Sequence, residues 1–148
     1  MDRIYLDHNA TTPVLPEVLE AMLPYLGGVY GNASSIHHFG QQARGGVERA
    51  REQVARFLNC RPSEVVFTSG GTEADNLAIL GVVWAVRAAE GERKHVVTTS
   101  IEHHAVLNTC QALERDGVEV TYVPVDASGV VDAAAVAAAM RQIGRAHV

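Results

Sequence analysis

The feature that most constrains this chain is the alternation, in its C-terminal half, of short apolar runs with longer amphipathic ones. VVFT at residues 65–68, HVVTT at 95–99 and EVTYV at 119–123 are strand-length and rich in β-branched residues. Between and after them, residues 73–89, 105–115 and 133–141 carry apolar positions at helical spacing. Strands separated by helices pair in parallel through crossovers, so the expected class is α/β, a mainly parallel sheet with helices on both faces.

The N-terminal half is less regular. Residues 4–6 (IYL) read as a short strand, followed by a loop over 7–13. A helix is expected from Pro16, with Val18, Leu19, Met22, Leu23 and Leu26 on one face, ending at Gly27 and Gly28. After the long loop VYGNASSIHHFG, residues 41–58 place Ala43, Val47, Ala50, Val54, Phe57 and Leu58 at helical spacing among arginines and glutamates.

The 148 residues are 47% hydrophobic and 20% charged, a globular balance, and the net charge of −5 disfavours nucleic acid or an acidic membrane surface as the main partner. The apolar stretch around 77–86 is shorter than the roughly 20 residues a membrane-spanning helix needs. No signal-peptide pattern follows Met1, and two cysteines, Cys60 and Cys110, form no disulfide framework or zinc spacing. The expectation is a cytoplasmic protein acting on small molecules.

Two strand-to-helix junctions carry polar residues that point to chemistry. In parallel sheets, ligands collect at such junctions because helix N-termini expose unpaired N–H groups and favour negative charge. In TSGGTEADN, Gly70 and Gly71 permit a sharp turn and a close approach to an anion, and Thr72 adds a hydroxyl. The same residues also read as a plain helix start, with Thr72 and Asp75 as a capping box, and Glu73 and Asp75 repel a phosphate unless they point away. In TTSIEHHAV, His103 and His104 follow a strand, where a histidine can stack on a planar ligand, move a proton, or simply sit at the surface.

Taken in order, YLDHNATTP, GNASSIHHFG, VERAREQVARFLN, VVFTSGGTEADNLAI and IEHHAVLNTC resemble the N-terminal part of cysteine desulfurases, pyridoxal 5′-phosphate enzymes of the class V aminotransferase superfamily with fold type I. The resemblance covers residues 5–141. It implies an arm over residues 1–14 toward the active site and part of the cofactor-binding large domain over 15–142. It assigns the cofactor phosphate to Gly71 and Thr72, the catalytic histidine stacked on the cofactor ring to His103, and, more weakly, the substrate pocket to Asn9, Ala10 and Thr11. His104 and His37 receive no role, and Ala33 stands where the family usually has proline.

The resemblance further implies L-cysteine as substrate, alanine as product, and sulfur carried as a persulfide on an enzyme cysteine toward iron–sulfur clusters or thio-cofactors. It implies a homodimeric parent working with a sulfur-acceptor or scaffold protein. The cofactor-anchoring lysine is expected elsewhere, since the single lysine, Lys94, precedes the 95–99 strand at the end opposite both junctions, five residues of about 3.3 Å each away. The family's catalytic cysteine, ring-nitrogen aspartate and substrate-carboxylate arginine are likewise expected beyond residue 148, so this chain is expected to be an inactive, poorly soluble fragment. Residues 143–148 (IGRAHV) match a translated sequencing-adapter string and are expected to be non-native. A selenocysteine lyase is the alternative within the superfamily. A metal hydrolase built on Asp7, His37, His38, His103 and His104 is the alternative outside it, though no HExxH-like spacing occurs.

Overall fold

The computed structural model describes residues 3–90 and 95–140 and divides into two compact units, Met1–Val66 and Phe67–Val148. Lys94 and the 143–148 tail lie outside the described residues.

In the first unit, α1 (Pro16–Leu26) begins with proline at its first turn, where no backbone N–H is needed, and α2 (His38–Leu58) follows after a loop. Helix α2 starts one turn earlier than the apolar spacing predicts. The cause is His37, whose Nδ1 accepts a hydrogen bond from the Gly40 N–H at 3.3 Å and so caps the helix. Asn59, at φ 52°, ends it in the left-handed conformation that asparagine tolerates better than most residues. The buried positions of α2 are the small Gly40, Ala43 and Ala55. The Arg49 guanidinium donates to the Tyr25 hydroxyl at 3.1 Å and ties α2 to α1, while Arg51 donates to the Val65 carbonyl.

In the second unit, α3 (Gly71–Glu90), β1 (His95–Thr99), α4 (His104–Arg115), β2 (Glu119–Val123) and α5 (Ala133–Ala139) follow in order. Strands β1 and β2 pair in parallel, His95 opposite Glu119 through Thr99 opposite Val123, with α4 as the crossover. Val83, Leu113 and Val118 form the core, joined by Ile79, Leu80 and Val96. Leu113 and Cys110 are 1% and 0% exposed. This is the expected α/β arrangement with a small parallel sheet.

Two predicted strands do not form. Residues 4–6 and 65–68 have no ladder partner among the described residues, and a strand exists only through the hydrogen bonds of a neighbour. Val65 keeps extended backbone, at φ −91° and ψ 123°, without pairing. Nor is the sheet buried from both sides, since every residue of β1 is only half-buried. Large apolar side chains lie open throughout, Ile36 at 94% and Phe57 at 89% exposure among them.

Candidate functional site

The first turn of α3 is built differently from the sequence expectation. The helix begins at Gly71, with the Gly70 carbonyl accepting from the Ala74 N–H at 3.1 Å, so Thr72 lies inside the helix and does not cap it with Asp75. The capping carboxylate is that of Glu73, whose Oε2 accepts from the Ser69 N–H at 2.7 Å and the Ser69 hydroxyl at 2.6 Å. These bonds hold the Glu73 carboxyl below its usual range, the side-chain bond contributing most.

Neither Gly70 nor Gly71 adopts positive φ; among the described residues, the left-handed glycines are Gly117 and Gly129, at 81° and 78°. Glycine is therefore not needed here for the turn itself. A Cβ added at either position would meet nothing within 4 Å, so the space over the helix start is open. Among the described residues, no acceptor meets the N–H groups of Gly71, Thr72 and Glu73, and the Thr72 hydroxyl is also without a partner. Unpaired N–H groups, a free hydroxyl, open space and the positive end of a 20-residue helix suit an anion.

His103 caps α4. Its Nδ1 accepts from the Ala105 N–H at 3.1 Å, which places the proton of the neutral ring on Nε2. The preceding loop is closed by the Thr99 hydroxyl, which donates to Glu102 Oε1 at 2.8 Å. His104 is the first residue of the helix, its ring centroid 6.2 Å from that of His103 and tilted by 58°.

The two junctions meet. Thr72 and Asn76 of α3, and His103, His104, Asn108 and Thr109 at the start of α4, line one cavity of about 330 Å³. The walls are joined by a polar link that the sequence reading overlooked. Asn76 Nδ2 donates to the Thr72 carbonyl at 2.8 Å, and Asn76 Oδ1 lies 2.8 Å from the Thr109 hydroxyl, which also reaches the Ala105 carbonyl at 2.7 Å. An asparagine in the second turn of a helix, a poor helix former set among apolar residues, was the available signal.

The remaining candidates lie in the first unit. Asn9 and Ala10 sit in an exposed turn closed by the Ala10 N–H donating to the Asp7 carbonyl at 3.1 Å, and the Tyr5 hydroxyl donates to the Asp7 and Thr11 carbonyls at 2.9 and 3.3 Å. His37 is a helix cap, as described above. Among the described residues, no three of His, Cys, Asp and Glu gather closely enough to hold a metal ion.

The model of the aminotransferase class-V family matches residues 4–145. The chain belongs to the class-V aminotransferase family. Within that family it is 52% identical over 141 residues to the "Putative cysteine desulfurase IscS 1" of Bacillus subtilis (strain 168), covering 95% of this chain and 36% of that protein. Among solved structures, a "NIFS-LIKE PROTEIN" superposes with a TM-score of 0.83 at 42% identity, covering 90% of this chain and 36% of the other. One described as "SspA in complex with cysteine" superposes with a TM-score of 0.84 at 42% identity, covering 93% and 39%. The chain thus spans little more than a third of the length of these relatives. No helix among the described residues is long and apolar enough to cross a membrane.

The site can be tested against the cofactor that the class V resemblance implies, pyridoxal phosphate, on its own geometry. Its phosphate requires donors, and the α3 start offers unpaired N–H groups, with the Glu73 carboxylate engaged by Ser69. Its planar ring requires a flat neighbour, and His103 stands on the same cavity. The residues present fit.

Proposed function

We propose that this chain is the cofactor-binding portion of a pyridoxal-phosphate-dependent cysteine desulfurase, converting L-cysteine and an enzyme thiol to L-alanine and an enzyme persulfide. The observation that carries this reading is the convergence of Thr72 and His103 on one cavity. Pyridoxal phosphate, when bound, supplies an electron sink for bond cleavage on the amino acid. The Gly71, Thr72 and Glu73 N–H groups and the Thr72 hydroxyl would hold the phosphate, and the His103 ring would offer a flat face to the pyridine.

The cap that His103 makes with Ala105 fixes the ring's orientation and leaves Nε2–H as its free donor. Neither cysteine serves as the persulfide carrier in this reading. Cys110 is 0% exposed, and Cys60 follows the left-handed end of α2. The carrier cysteine, the anchoring lysine, the homodimer partner, the sulfur acceptor and a cytoplasmic setting belong to the reading of the whole protein. Expressed at the full length of its relatives and given L-cysteine with a reducing thiol, the protein should release one alanine per sulfide. Release of pyruvate and ammonia, or of no product, would count against the proposal. Thr72→Val and His103→Ala should each lower alanine release by at least about tenfold, as expected for loss of charge-assisted or stacking contacts.

A further inference from the structure

From the hydrogen bonds linking Thr72, Asn76 and Thr109, we infer that Asn76 is a positioning residue that fixes the phosphate-binding turn of α3 against the helix carrying His103. This rests on the reading of that turn as the phosphate site. The first turn of any helix is prone to fray, because its leading N–H groups have no partner within the helix. Here those same groups are the anion donors, so fraying would scatter them.

Asn76 opposes that at two points. Its Nδ2 donates to the Thr72 carbonyl at 2.8 Å, one turn back along α3. Its Oδ1 sits 2.8 Å from the hydroxyl of Thr109, a side chain only 4% exposed and itself held at 2.7 Å from the Ala105 carbonyl, the carbonyl of the residue whose N–H His103 caps. The amide orientation follows from this pattern. A flipped Asn76 would set its oxygen against the Thr72 carbonyl, two acceptors facing each other.

The chain of contacts therefore runs from the phosphate turn through Asn76 and Thr109 to the first turn of α4 and the His103 ring. All four residues line the same cavity. Asn76 sets the spacing between the donors for one end of the cofactor and the wall for the other.

The test uses the protein expressed at the full length of its relatives and freed of bound cofactor, with calorimetric titration as the binding signal. The probes are pyridoxine 5′-phosphate and pyridoxine, which lack the aldehyde and cannot react with Lys94. The readout is the ratio of their affinities, which measures the phosphate contribution alone. Asn76→Leu and Thr109→Val should each reduce that ratio by roughly tenfold, the effect of losing one charge-assisted hydrogen bond at the anion. Thr109→Ser, which keeps the hydroxyl, should retain it. Val83→Ala, a core truncation in the same unit, should lower the melting temperature without moving the ratio. If both Asn76→Leu and Thr109→Val keep the ratio within about twofold of wild type while binding both probes, the inference is overturned and the phosphate site stands. If the wild-type chain prefers neither probe, the phosphate site and the inference fall together. Should Asn76→Leu not fold, the contrast between Thr109→Val and Thr109→Ser decides alone.

Discussion

Glu73 folds its carboxylate back onto Ser69, accepting from both the backbone N–H and the hydroxyl at 2.7 and 2.6 Å. An acidic residue in the first turn of an anion-binding helix would otherwise oppose the anion it faces. The contact engages that charge with two donors and satisfies the Ser69 N–H at the entrance to α3.

The Ser69 bonds hold the Glu73 carboxyl below its ordinary range, so their contribution to the helix start is present at neutral pH and is lost as pH falls through the lowered value. Acidification through that lowered value, below the ordinary glutamate range, should reduce the protection of the Ser69 amide, read as its hydrogen-exchange rate relative to the intrinsic rate at the same pH. In Glu73→Gln the amide oxygen still accepts from Ser69, so the acid-dependent step should disappear while the helix remains. Binding of pyridoxine 5′-phosphate to that variant should tighten by no more than about threefold, because the carboxylate is solvent-exposed and screened. An amide-exchange titration with the same acid step in both proteins would contradict this assignment.

The two cysteines should separate cleanly in reactivity. Cys110 is fully buried and its thiol is pushed up, mainly by desolvation and secondarily by the charges of Glu114 and Glu102, whereas Cys60 is partly accessible. Only the thiolate attacks an electrophile, so a folded chain treated with iodoacetamide near pH 8 should modify Cys60 first, with Cys110 slower by at least about a hundredfold and reached only on unfolding. Peptide mapping over time checks the order. Fast modification of Cys110 would mean that α4 does not pack against β2 as found here.

Much of this arrangement was legible before the structure, and the parts that were not share a physical cause. The strands β1 and β2, the helices α3 and α4 and their α/β class follow from local periodicity, which a helix or a paired strand expresses directly. Residues 65–68 have the composition of a strand but not the partner, and pairing is not a local property. The early start of α2 was missed because its cap is a histidine, not the serine, threonine or aspartate the pattern leads one to seek. The capping residue of α3 was misassigned for a related reason: TSGGTEAD offers several competent oxygens, and only the backbone decides that Glu73 reaches Ser69. Thr72 and His103 were identified as separate junction residues, but Asn76, which links them through Thr109, becomes visible only when α3 and α4 are placed side by side.

Glycine substitutions should act with opposite sign in the two units. A Cβ at Gly31 would collide with the backbone carbonyl of Phe39, which cannot give way without displacing the loop leading into α2. Gly31→Ala should therefore cost about 2 kcal/mol, in the range of forced overpacking. Gly81 lies inside α3 with nothing within 4 Å of an added Cβ, and Gly81→Ala should stabilise by about 0.5–1 kcal/mol through helix propensity. Urea unfolding followed by circular dichroism measures both.

His103 combines a structural and a proposed chemical task, and two substitutions take them apart. Its Nδ1 caps α4 through the Ala105 N–H at 3.1 Å, a role that the side-chain oxygen of asparagine can take over. His103→Asn should leave stability within about 0.5 kcal/mol of wild type, whereas His103→Ala should lose about 1 kcal/mol, the usual effect of removing an N-cap. Both lack the ring, so both should weaken pyridoxine 5′-phosphate binding by a similar factor, on the order of five- to tenfold for one lost stacking contact. Melting and calorimetric titration of the protein at the full length of its relatives separate the two tasks. If His103→Asn restores both stability and binding, the ring makes no contact with the ligand and the residue is a cap alone.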